Sequence, residues 1–172
     1  MNRIRRNLLI ALIGVCCAGV LAPLCTAQDT ATVLAGAELT RLVPPGFYFE
    51  GLSAPTQMRN TAAARFGAKR FVIAGLVDTS GYAADVRAKY EGFLITDSSI
   101  QINGSDLAVG AYGFGFSNDG KMQVMDLAGN QLLSVSSTKD TELKRPRPLT
   151  FVKSGDGIRF YNGRDYVTIN AK

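Results

Sequence analysis

Residues 110–116 read Gly-Ala-Tyr-Gly-Phe-Gly-Phe, an alternation of aromatic and glycine with a period of two. A period of two belongs to extended chain, in which successive side chains point to opposite faces. Tyr112, Phe114 and Phe116 therefore share one face and bring large apolar area to it. Gly113 and Gly115 leave the other face as bare backbone, so a neighbour must approach closely there or the strand must coil sharply.

The chain on either side of this segment is punctuated at short intervals by residues that tolerate positive φ. The spacing predicts strands over 93–96, 100–102, 107–117, 121–126, 131–137, 149–153, 158–161 and 165–170. Between them stand Asn103-Gly104, Asn118-Asp119-Gly120, Ala128-Gly129-Asn130 and Asn162-Gly163, the last pair a type I′ hairpin signal. Met122 and Val124 alternate with Gln123 and Met125, and Leu133 and Val135 alternate with Leu132 and Ser134. One apolar and one more polar face per strand is the pattern of antiparallel sheets wetted on one side.

Upstream, Pro44-Pro45-Gly46 is a turn signal, 47–50 a short strand, and 51–55 a break. Residues 71–77, Phe-Val-Ile-Ala-Gly-Leu-Val, form a continuous apolar run that reads as a strand covered on both faces. Gly67-Ala68 reads as a tight connection into it. A single helix is expected near residues 80–90, with Tyr82, Val86 and Tyr90 on one stripe and Thr79 or Ser80 as its cap. The fold class that follows is mainly β: an antiparallel meander forming a small barrel or a two-layer sandwich, with one short helix against it.

Residues 1–27 read differently. Arg3, Arg5 and Arg6 precede an apolar run from Leu8 to Leu24, and Cys25-Thr26-Ala27 ends it in small residues, as in an export signal cleaved after Ala27. Such cleavage removes all three cysteines of the 172-residue chain, so the remaining 145 residues can form no disulfide. It also lowers Lys+Arg from 19 to 16 against an unchanged 14 Asp+Glu, and the net charge from +5 to +2. Export without disulfides fits a bacterial periplasmic or secreted protein. If the signal were not cleaved, that segment alone would contact the membrane. Residues 28–38 are expected to be a flexible lead-in, and 39–172 a single domain of ordinary size.

A net charge so near zero argues against nucleic-acid binding, which needs a concentrated basic surface. The chain has no histidine. Without histidine or a retained cysteine there is no Ser-His-Asp triad, no Cys-His pair and no ordinary zinc or copper site, and no cofactor motif is present. Catalysis by carboxylates alone survives this exclusion, with Glu50 and Glu91 as candidates because each stands beside aromatics in or near a strand. Tyr112, Phe114 and Phe116 are candidates for gripping a small apolar or saccharide ligand, or else serve as core. Lys144, Arg145 and Arg147, held extended by Pro146 and Pro148, are candidates for contact with an anionic partner.

The expected function is that of an exported, noncatalytic binding or interaction domain. A carboxylate-based carbohydrate-active enzyme is the alternative, and a small outer-membrane β-barrel a further one. The strands are short for the last, which needs about 9–11 residues each.

Overall fold

The computed structural model describes residues 30–172; the export-signal reading lies outside them. The chain runs β1 (Ala31–Val33), α1 (Gly36–Leu42), β2 (Gly46–Phe49), β3 (Leu52–Phe66), β4 (Arg70–Val77), α2 (Ala84–Arg87), β5 (Gly92–Thr96), β6 (Ile100–Ile102), β7 (Ser105–Leu107) and β8 (Gly110–Ser117). It continues through β9 (Lys121–Met125), β10 (Gln131–Ser136), β11 (Thr138–Lys139), β12 (Arg147–Ser154), β13 (Gly157–Gly163) and β14 (Asp165–Ala171). Every strand pairing is antiparallel.

The strands form two sheets. The larger has the order β1-β3-β4-β5-β8-β9-β10, with β2 also on β3; the smaller has the order β12-β13-β14-β6-β7, with β11 also on β14. Their facing sides share one apolar core. Ala64, Val72, Leu94, Phe114, Met122 and Val124 of the larger sheet meet Ile100, Ile102, Phe151, Ile158, Phe160, Val167 and Ile169 of the smaller. The aromatic face of β8 enters this core: the Phe114 ring lies 5.0 Å from that of Phe160, edge to face, and Phe116 lies 5.7 Å from the same ring.

The back of the larger sheet is covered too, which corrects the expectation of one wetted face per strand. Ala63, Ile73, Val77, Phe93 and Met125 pack there against Val43, Phe47, Phe49, Tyr82, Val86 and Tyr90. Met125 is 1% exposed where the alternation placed it on the more polar side. The physical reason is that β2 and the segment before it, together with the connection holding α2, fold back over this sheet. The smaller sheet follows the expected pattern, with Ile158, Phe160, Val167 and Ile169 inward and Arg159, Val152 and Thr168 turned out.

The glycine face of β8 is explained by this second layer. A methyl group at Gly113 would lie 2.4 Å from the Phe49 ring, and one at Gly115 would lie 2.1 Å from the Lys89 carbonyl oxygen. The bare backbone admits a ring and a crossing chain at van der Waals range, where any side chain would exclude them.

Several local expectations need correction. The helix expected at 80–90 shrinks to the four residues of α2, with Ala83 at its start and no side-chain cap. Asp78 instead accepts from the Ser80 N–H in a turn. The expected stripe is nonetheless buried: Tyr82, Val86 and Tyr90 all lie in the second core, because their inward spacing needs only one helical turn flanked by bends. The 28–38 lead-in holds β1, whose Ala31 is fully buried and whose residues pair with Ala64, Arg65 and Phe66, and the first residues of α1. The strand expected over 107–117 is split into β7 and β8.

Turn chemistry differs in one place. Asn162 is still in register opposite Asp165, and of the central pair Gly163-Arg164 only Gly163 has positive φ, which is the II′ pattern and not I′. The I′ pattern appears at Asn103-Gly104 and at Glu50-Gly51, where both central residues have positive φ.

Candidate functional site

A polar cleft of about 630 Å³ opens at one end of the intersheet core. Its wall is drawn from four places in the chain. Glu91 comes from the connection before β5; Phe116, Ser117, Asn118, Asp119 and Gly120 from the end of β8 and its turn; Ser137 and Lys139 from the β10–β11 region; and Asn162 and Asp165 from the β13–β14 hairpin. Its volume falls within the ordinary range for small-molecule sites.

Glu91 is fixed by its backbone before its side chain acts. Its N–H donates to the Phe114 carbonyl at 2.9 Å, and its carbonyl accepts from Val77 N–H at 3.1 Å. The β5–β8 ladder ends at Gly92 opposite Phe114, so the Phe116 amide finds no partner in β5. The Glu91 carboxylate supplies one, with Oε2 accepting from Phe116 N–H at 3.1 Å. The same Oε2 accepts from Asn162 Nδ2 at 2.5 Å. Phe116 belongs to the larger sheet and Asn162 to the smaller, so one carboxylate oxygen joins the two layers. Oε1 takes no hydrogen bond from any described residue.

This environment acts on the acid. Burial pushes the Glu91 carboxyl above the usual carboxylate range, and the Phe116 and Asn162 donors pull it partly back. Among the described residues, no cation pairs with it. The rim carries charges of both signs: Asp119 is hydrogen-bonded by the Ser117 hydroxyl and paired with Lys121 at 2.9 Å, which together hold its carboxyl below the usual range. Lys139 and Asp165 are register partners on β11 and β14, yet no ion pair joins them. Ser137 ties its wall to the opposite turn, donating from both N–H and Oγ to the Gly120 carbonyl at 2.8 and 2.9 Å.

The candidate residues from sequence separate sharply in space. Glu91 and Phe116 line the cleft; Glu50, Tyr112 and Phe114 do not. Glu50 sits in the β2–β3 turn with φ +43°, its carboxylate 2.8 Å from Lys89 Nζ, and Glu91 and Glu50 are not brought together around one cavity. Phe114 is fully buried between the sheets, and Tyr112 is nearly so, donating its hydroxyl to the Ala108 carbonyl at 3.0 Å. Phe116 is half-buried and lines the cleft. Lys144, Arg145 and Arg147 are exposed on the connection into β12 and at its first residue, away from the cleft lining.

Sequence reasoning missed Asn162, Asp165, Ser117, Ser137 and Lys139 as site residues. Asn162, Ser117 and Asp119 carried signals only for turns and strand ends. Their convergence depends on β14 pairing with both β13 and β11 and on the two sheets closing over one end, which no local spacing records. Among the described residues, no three of His, Cys, Asp or Glu are grouped so as to hold a metal ion.

Comparison with protein-family models, with curated proteins and with solved structures finds no match for this chain.

Proposed function

We propose that this chain is an exported, noncatalytic binding domain that receives a small saccharide-like ligand in the cleft at Glu91. The observation that carries the reading is the use of Glu91: both internal hydrogen bonds fall on Oε2, and Oε1 keeps its acceptor capacity on a side chain that lines the cleft. A carboxylate oxygen with no internal partner offers a ligand donor a charge-assisted hydrogen bond, which is stronger than a neutral one. Around it stand hydroxyl, amide, ammonium and carboxylate groups beside one aromatic ring, Phe116, a lining suited to a polyhydroxylated molecule with one apolar face. Export rests on the basic and apolar character of residues 1–27.

The carbohydrate-enzyme alternative is favoured by one observation, the upward shift of the Glu91 carboxyl, which is what a general acid requires. The outer-membrane alternative draws less support, because the apolar side chains gather between and behind the sheets while the outer face of the smaller sheet carries Arg159 and Thr168.

Titrating isotopically labelled protein with maltotriose, cellotriose and the N-acetylglucosamine and glucosamine trimers tests the reading. Amide shifts at Phe116, Ser117 and Asn162 with at least one sugar are expected, with no sugar hydrolysed. Absence of shifts with all four would overturn it; release of shorter sugars, lost in Glu91→Gln, would replace it with the enzymatic alternative.

A further inference from the structure

We infer that the ligand of this cleft carries an ammonium group, seated on Glu91 Oε1. The inference rests on the saccharide reading above and narrows it to amino sugars with a free amine.

Glu91 lines the cleft with a carboxyl on which burial acts, and its internal partners, a backbone N–H and a side-chain amide, are neutral. Neutral donors on one oxygen leave the net charge uncompensated, and a desolvated charge is stabilised most by an opposite charge at contact distance. The other charged groups facing the cleft are Asp119 from the β8–β9 turn, Lys139 from β11 and Asp165 from β14. Lys121 pairs with Asp119 but is not part of the lining. The lining thus holds three carboxylates and one ammonium, and the single cation sits on an exposed residue of the rim.

Two other occupants fit less well. A bare metal ion needs several hard ligands converging within a few ångströms, and the carboxylates here are spread around the opening and not grouped. An anionic sugar, such as a uronate or a phosphorylated one, would place like charge against Glu91. An ammonium suits both features: its three donors can serve Oε1 while the ring hydroxyls that accompany it reach Ser117, Asn118 and Ser137 on the walls.

The glucosamine trimer and the N-acetylglucosamine trimer have the same backbone and differ in whether the nitrogen is charged. Their affinities are to be compared by calorimetry on the same protein, at a pH above the Glu91 titration and below that of the amine. The expected result is at least about tenfold tighter binding of the glucosamine trimer, equal to about 1.4 kcal/mol, with Glu91→Gln bringing the two sugars to within about twofold. Gln keeps an acceptor for Phe116 and Asn162, so the layers remain joined, and dispersed amide spectra confirm the fold. In the unmutated protein, binding of the glucosamine trimer is expected to weaken as the pH falls through the Glu91 titration while the amine stays charged.

Equal affinity for the two trimers overturns the ammonium seat and leaves the saccharide reading standing. A preference that survives both Glu91→Gln and acidification also overturns it, since the charge would then be read elsewhere. Failure of all the sugars to bind overturns both readings.

Discussion

The carbonyl oxygen of Lys89 occupies the space that a side chain on Gly115 would need, 2.1 Å from where its first carbon would lie. This contact brings the α2–β5 connection against β8, and two residues later the same connection delivers the Glu91 carboxylate to the Phe116 amide. The glycine-aromatic strand thus has a job on each face: its rings fill the intersheet core, and its bare backbone docks the segment that carries the site.

Gly115→Ala is therefore expected to destabilise the protein by about 1–3 kcal/mol, the usual range for forced overpacking, because the obstructing atom is backbone and cannot swing aside. Urea unfolding measures it, and the amides of Glu91 and Phe116 should shift with it. A stability unchanged from the parent would contradict the contact.

Tyr90 offers the opposite case. Its ring stacks on Phe49 at 3.9 Å between centroids and meets Tyr82 edge to face at 5.3 Å, but among the described residues its buried hydroxyl finds no partner within hydrogen-bond geometry. Removing an unsatisfied buried polar group while keeping the ring is neutral or favourable. Tyr90→Phe should hold or raise stability by up to about 1 kcal/mol; a loss of that size in thermal or urea unfolding would show that the hydroxyl is satisfied in solution.

Glu91 sets a slope in stability against pH. Its folded-state pKa lies above the ordinary value, so the folded protein binds more protons than the unfolded chain between the two. The associated stability is fully present below the unfolded pKa and is lost as the pH rises through the folded one. Comparing urea midpoints of the parent and Glu91→Gln across the acidic range checks the sign: the parent should lose stability relative to the variant as the pH rises through that window. A relative gain would mean that the carboxylate is favoured by folding.

The two glutamates marked by sequence should behave differently. Glu50 is a turn residue with a partly exposed ion pair to Lys89, and such pairs are worth about 0–1 kcal/mol. Glu50→Gln is expected to cost no more than that and to leave sugar binding unchanged, as read by calorimetry beside Glu91→Gln. Equal losses of binding in both variants would indicate a general disturbance and not a local seat.

What could be read before the structure was mainly local. The alternation in 110–116, the apolar run 71–77 and the glycine-bearing turns after Gly92 contain their own periodicity, and each became strand or turn close to where it was expected. The second layer was invisible because it depends on Phe47, Phe49, Tyr82 and Tyr90 converging from distant positions onto one sheet face. The cleft was half visible. Glu91 stood out as an acid beside aromatics, whereas Asn162, which holds it, looked only like a turn residue, and nothing in the spacing of residues 91 and 162 announces that two sheets bring them to 2.5 Å.

The most direct test of the Glu91 cleft is an amide chemical-shift map of the protein titrated with the glucosamine trimer, set beside the same map for Glu91→Gln. The account predicts saturable shifts concentrated at Phe116, Ser117, Gly120 and Asn162 that need about tenfold more sugar to saturate in the variant. Shifts that centre on Lys144, Arg145 and Arg147, or that persist undiminished in Glu91→Gln, would contradict it.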